Sequence, residues 1–180
     1  MALRHAVLAA LLDGEASGYE LAKRFDASVA NFWHALPQQL YTELRRLEEQ
    51  RLVRGRAIRQ QGRPDKRAFT ITAAGDEELR RFAAAPTRPG ALKEDLAVKV
   101  YAAAVVDHEV LAAALDERAA HAAAKLERYR RLADALADPD GTDLGPSLTL
   151  ARGMAYEREN IAWCTLAAER LRATPSLRDR

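Results

Sequence analysis

Only one cysteine, Cys164, occurs in the 180 residues. It has no partner for an intramolecular disulfide and no metal-binding spacing around it. A reducing, cytoplasmic setting is therefore expected. Histidine is scarce as well: His5, His34, His108 and His121 share no ligand spacing, so neither a metal nor a cofactor is expected. No apolar run approaches the ~20 residues that span a bilayer, and no membrane partner is expected. The apolar start MALRHAVLAALLDG meets Asp13 and Glu15 where a small-residue cleavage site would stand, so it reads as a first helix and not as a signal peptide. Nucleophile elbows and phosphate loops are also missing. The stretch GRPDK lacks the glycine-lysine-serine/threonine ending of a phosphate loop, and Cys164 has no base near it in sequence. Catalysis is not expected.

Net charge is only +2 and excludes no partner by itself. Alanine makes up much of the apolar share, which favours helix. The charge is unevenly distributed. Residues 1–75 carry 12 Lys/Arg against 8 Asp/Glu, while residues 76–180 carry 16 against 18. Within 51–67 there are seven basic residues and a single acid, Asp65. Such a stripe suits phosphate neutralisation, and it equally suits a solvated arginine surface.

Leu3, Val7, Leu8, Leu11 and Leu12 recur at helical spacing until Asp13 and Gly14 stop the run. Ser17 and Glu20 form a capping box that starts a second helix, with Leu21, Ala22 and Phe25 inward and an end near Asn31. Pro37 suits the first turn of a third helix. There Leu40, Leu44 and Leu47 stack on one side, and Gln38, Thr42, Arg45 and Glu49 fall on the other. Residues 52–61 and 66–72 read as antiparallel strands about a turn at 62–65, with Phe69 and Ile71 on one face and Ala68, Thr70 and Thr72 on the other. Thr72 is placed to cap a fourth helix whose first turn holds Asp76, Glu77 and Glu78.

Two prolines and a glycine within 85–90 mark a linker. Beyond it only helices are expected: 92–106, then 108–138 behind an Asp107 cap, then 147–172. The two long helices carry apolar seams. One holds Leu115, Ala119, Ala122, Leu126, Tyr129, Ala133 and Leu136. The other holds Leu150, Met154, Glu157, Ile161, Cys164, Ala168 and Leu171. Spacing of this kind fits an internal antiparallel pair or a dimer interface, and does not choose between them.

Three short helices, a basic hairpin and a fourth helix make a winged helix-turn-helix, with the third helix entering the major groove. At this point SGYELAKRF (17–25), FWHALPQQLYTELRRLEEQRLV (32–53), GRPDKRAFTITAAG (62–75) and YERENIAW (156–163) resemble the PadR family of bacterial transcription regulators, in its longer form. The likeness covers nearly the whole chain and departs from the pattern at Asp65, Ala68 and Phe69. It implies a mainly α fold: a winged helix-turn-helix domain with a small β-hairpin wing at 1–85, a linker at 86–90, an all-helical dimerisation and effector domain at 91–172, and a disordered tail at 173–180. It also implies a homodimeric repressor that binds a pseudo-palindromic operator in double-stranded DNA and is released by a small aromatic or drug-like effector. By position, Gln38, Gln39, Tyr41, Thr42, Arg45 and Arg46 are the expected recognition-helix contacts. Gly62, Arg63, Lys66 and Arg67 are the expected wing.

Each assignment has a plainer alternative. Tyr41 sits near the edge of the buried stripe and suits packing as well as it suits DNA. Tyr19, Phe32, Trp33 and His34, with Arg152, Tyr156, Arg158 and Trp163, are candidates for an effector pocket, whereas Trp33 suits a simple wedge between the domains. Leu150, Met154, Glu157, Ile161, Cys164 and Leu171 are the candidate dimer seam, in which Glu157 is unusual because a buried unpaired carboxylate is unfavourable. The alternative to a DNA-binding regulator is a winged-helix protein–protein adaptor, distinguished by the salt dependence that phosphate binding imposes.

Overall fold

A computed structural model describes residues 2–27, 35–59, 66–87, 94–136 and 144–174. The chain divides into two compact units, Met1–Arg88 and Pro89–Arg180.

In the first unit α1 (Ala2–Ala10), α2 (Gly18–Ala27), α3 (Pro37–Glu49) and α4 (Ala73–Ala84) surround a small sheet. Leu8, Leu11, Leu21, Phe25, Leu40, Leu44, Leu47 and Val53 form one buried core. The expected inward residues of α1 hold except Leu12, which is 56% exposed because Leu11 is already in the turn that follows the helix. That turn closes through Gly14, whose φ of 103° suits glycine.

The capping box forms as expected. The Ser17 N–H donates to Glu20 Oε2 at 2.8 Å, and the Glu20 N–H donates to Ser17 Oγ at 3.2 Å. Pro37 opens α3, and Thr72 Oγ1 caps α4 by accepting from the Gly75 N–H at 3.1 Å. The end expected for α2 near Asn31 lies outside the described residues.

The hairpin is β2 (Val53–Ile58) against β3 (Lys66–Ile71), with Gly55 opposite Phe69. A two-residue strand, β1 (Ala16–Ser17), was not expected. It pairs antiparallel with Phe69 and Ala68, so β3 is the middle strand of three in the order β1-β3-β2. Both Ala68 and Phe69 are consequently buried, which corrects the simple alternation expected for this strand.

No glycine closes α3. Arg51 instead takes a left-handed φ of 60° while its N–H donates to the Glu48 carbonyl, and the Leu52 N–H reaches the Leu47 carbonyl. A side chain in that conformation costs ~1 kcal/mol relative to glycine. Arg51→Gly is therefore expected to stabilise the unit by about that amount in urea unfolding, and a loss of stability would refute the strain argument.

In the second unit α5 (Asp95–Tyr101) is shorter than expected and passes through a 3-10 turn, Ala103–Val105. Asp107 then caps α6 (His108–Ala135), accepting from the Glu109 and Val110 N–H groups. The last helix, α7 (Leu144–Ala173), starts three residues before the expected Ser147 and carries Pro146 in its first turn, where no amide partner is lost. The two long helices are an antiparallel pair within one chain.

This pairing changes the reading of the seam. Leu150, Glu157, Cys164 and Leu171 are buried inside their own chain and are not a surface left for a partner. Met154 and Ile161 are half-buried at its margin, whereas Gly153 and Asn160 take the buried positions. The helical repeat of ~3.6 residues shifts the stripe, which brings Gly153 onto the buried side. Burial pushes the Cys164 thiol pKa up, as suits a packed thiol.

Candidate nucleic-acid interface

The periodicity that buries Leu40, Leu44 and Leu47 turns the opposite face of α3 to solvent. Gln38, Gln39, Tyr41, Thr42, Arg45 and Arg46 are all exposed there. Thr42 Oγ1 donates to the Gln38 carbonyl at 2.9 Å. Gln39 Oε1 accepts from the Leu36 N–H at 2.9 Å, which caps the helix and leaves the carboxamide donors outward. Arg46 lies 3.7 Å from Glu43. Arg45 has no side-chain partner among the described residues, so its guanidinium is available to a base edge or a phosphate.

Tyr41 packs against its neighbours and still faces solvent. It remains 42% exposed, yet its ring lies over Gly18 so closely that a Cβ there would fall 2.1 Å from a ring carbon. Glycine at 18 is thus what lets the start of α2 sit against α3.

The hairpin carries its cations beside this face. Arg54 and Arg59 are exposed, whereas three others are engaged by acids. Arg56 makes a bidentate contact with Glu15, with Nη2 2.9 and 3.0 Å from its two oxygens. Lys66 Nζ lies 3.0 Å from Glu20, and Arg67 Nη2 lies 2.6 Å from Glu48. These acids are 19 to 46 residues away in sequence, and no local pattern pointed to them. Gly62 and Arg63 at the expected tip lie outside the described residues. A cleft of about 560 Å³ separates the start of α2 from α3 and β3, walled by Ser17, Tyr19, Tyr41, Arg45, Lys66 and Arg67.

Glu20 links the capping box to this cleft. The Ser17 N–H, then the Ser17 hydroxyl and Lys66, hold its carboxyl down at about 2, against an ordinary 4.5. A depressed carboxylate pKa adds stability above the ordinary value, and that stability is lost as pH falls through the folded value. The thermal-stability gap between wild type and Glu20→Gln should be full at pH 7 and shrink between about 4.5 and about 2. A gap that does not change with pH would remove the charge from the explanation.

Of the effector candidates with described positions, Tyr19 belongs to the first unit, and Arg152, Tyr156, Arg158 and Trp163 belong to the second. Tyr19 is 62% exposed, with Lys23 Nζ 4.8 Å from its ring centroid. Phe32, Trp33 and His34 lie outside the described residues. In the second unit Trp163 lines a cleft of about 370 Å³ with Val100, His108, Leu166 and Arg170. Arg152, Tyr156 and Arg158 do not line that cleft. Arg152 lies over the Tyr156 ring at 5.9 Å, while Arg158 is exposed. Val100, His108, Leu166 and Arg170 carried no sequence signal, because α5 had no readable position against α7.

Among the described residues, no group of three His, Cys, Asp or Glu side chains could hold a metal ion. No described helix is long and apolar enough to cross a membrane.

Residues 7–81 match the Transcriptional regulator PadR-like family, and residues 92–172 match the family described as Virulence activator alpha C-term. A probable transcriptional regulator of Mycobacterium tuberculosis is 40% identical over 185 residues, covering 95% of this chain and 98% of that protein. The negative transcriptional regulator PadR of Bacillus subtilis is 26% identical over 169 residues, covering 89% and 92%. Its crystal structure with operator DNA is similar to the present fold, with a TM-score of 0.82 at 23% identity over 95% of this chain and 99% of that one. The virulence activator AphA of Vibrio cholerae is similar too, with a TM-score of 0.73 at 27% identity over 95% and 98% of the two chains. The relatives are regulators and not enzymes, the fold is the mainly helical winged-helix type, and this chain belongs to the PadR-like family of DNA-binding transcriptional regulators.

Proposed function

We propose that the protein is a homodimeric cytoplasmic repressor that reads a pseudo-palindromic operator and releases it on binding a small aromatic effector. The observation that carries this reading is the outer face of α3. Gln38, Gln39, Thr42 and Arg45 project hydrogen-bonding groups beside a basic hairpin, as major-groove readout with flanking phosphate contacts requires. Arg45 and Arg46 on α3, and Gly62, Arg63 and Lys66 on the wing, take those roles.

A palindromic operator needs two heads at a fixed spacing. The second unit exposes Val98, Tyr101, Val105, Val110 and Leu166, large apolar side chains that suit burial against a second copy. The release step is supported by the structure of Bacillus subtilis PadR in complex with p-coumaric acid. In the present chain, Trp163 with Arg170 beside it suits a flat acid. Repression is the sign carried by the name of the Bacillus subtilis relative.

The test is fluorescence anisotropy of the full chain on labelled duplex from just upstream of its own coding sequence, in a salt series and against scrambled competitor. Competitor-resistant binding that weakens steeply with salt, and reverses with a member of a phenolic-acid panel, is the expected result. Salt-indifferent binding would favour a protein–protein adaptor. In the same assay Arg45→Ala should lose ~1–3 kcal/mol and relax base preference at one position of each half-site. Unchanged affinity would take Arg45 out of the interface.

A further inference from the structure

Glu48 lies in the last turn of α3, the element that the proposed function assigns to base reading. A carboxylate there repels DNA and lowers the field of the stripe around it, so its geometry needs a reason. One oxygen, Oε1, accepts two hydrogen bonds that lead to different strands. The Gly55 N–H on β2 donates to it at 3.0 Å, and Arg67 Nη2 on β3 donates at 2.6 Å. The pair lies across the bare face of Gly55. A Cβ on Gly55 would fall 2.4 Å from Arg67 Nε and 2.6 Å from Glu48 Oε1. The Arg67 guanidinium also lies over the Phe69 ring at 5.8 Å. A single carboxylate thus joins the end of the recognition helix to both strands of the hairpin.

We infer that Glu48 is a positioning residue for DNA binding, and that Arg67 is its structural partner and not a phosphate contact. The inference rests on the DNA-reading roles proposed above for α3 and the hairpin. These two elements meet the duplex at different places, so their mutual angle must be set before binding. Fixing it in the free protein removes an ordering cost from association. Among the described residues, outward cations without an acid partner include Arg45, Arg54 and Arg59. Because Arg67 is 58% exposed and Glu48 is 26% exposed at the side chain, the clamp is a partly solvated pair of modest strength.

The experiment uses the full chain and the same upstream duplex. Failure of wild type to bind it selectively would overturn the DNA-reading role itself, and that result is visible before any variant is made. Glu48→Gln keeps an acceptor for the Gly55 N–H and loses only the charge, so it preserves the fold. It is expected to bind roughly five-fold more weakly, although it removes a negative charge near a polyanion. Arg67→Gln is expected to weaken binding similarly while leaving the slope of log K against log salt unchanged. The double variant should be no weaker than either single one. Affinities refer to the active fraction, titrated for each variant, so that partial unfolding lowers the amplitude and not the constant. Tighter binding by Glu48→Gln would overturn the inference, since only repulsion would then remain. A slope reduced by about one counterion in Arg67→Gln would make Arg67 a phosphate contact and overturn it equally.

Discussion

Gly75→Ala is expected to lower the thermal midpoint of the N-terminal unit by roughly 10–20 °C. Gly75 is buried in the first turn of α4, where an added Cβ would fall 2.1 Å from the Leu52 carbonyl oxygen and 2.9 Å from Ile71 Cγ1. The near atom is backbone and cannot rotate away. It is also engaged, because Leu52 O accepts from both the Thr72 N–H and Thr72 Oγ1 at 3.0 Å. Moving it disturbs the residue that caps α4 and joins it to the hairpin. Overpacking costs about 1–3 kcal/mol and a weakened cap ~1 kcal/mol more. In a unit of this size each kcal/mol moves the midpoint by roughly 4–8 °C. Calorimetry of wild type and variant checks the expectation, and a change within about 3 °C would show that the backbone yields cheaply.

Lys125→Met is the second large effect, and it acts on the α6–α7 pair. Glu157 is 1% exposed, with Oε1 2.8 Å from Lys125 Nζ and Oε2 3.2 Å from Asn160 Nδ2. Burial is the largest single influence and acts against the Lys125 charge, but the hydrogen bonds and charges of Glu157 and Tyr129 together outweigh it and raise the ammonium pKa. Without Lys125 the carboxylate keeps only Asn160 among its named partners. Breaking a buried pair costs ~3–5 kcal/mol. Lys125 is 37% exposed at its side chain, so water offsets part of this and ~2–3 kcal/mol is expected. Adding Glu157→Leu should restore most of the loss, since a leucine fills the seam without a charge to solvate. Urea unfolding of the single and double variants decides the matter. If the double variant is as unstable as the single, lost packing and not the stranded charge is the cause.

The Glu157 case also shows where sequence reading stopped. Its place on an apolar seam was visible and marked as unusual, but the compensating Lys125 sits on another helix. The seam itself was displaced at two positions, Met154 and Ile161, because counting residues cannot show which side of a small Gly153 the facing helix approaches. Strand β1 was hidden for a similar reason. Two residues have no periodicity, and they become a strand only when β3 lies beside them.

On the candidate interface, the outward face of α3 was legible because burial of Leu40, Leu44 and Leu47 leaves one direction for Gln38, Thr42 and Arg45. The engagement of Lys66 and Arg67 was not. Their charges read as free cations, while the chain brings Glu20 and Glu48 to them from 46 and 19 residues away.

By itself the sequence determined what acts over a few residues: the Ser17–Glu20 box, Pro37 at the start of α3, the Thr72 and Asp107 caps, and the stripes that choose a buried face. Those interactions are settled within about one helical turn, so residue identity and spacing suffice. The tertiary structure alone decided that α6 and α7 pair within one chain, that β3 is a middle strand, and which arginines remain without acid partners. These depend on groups far apart in the chain, and their energies are set by burial and distance, which exist only once the chain has folded.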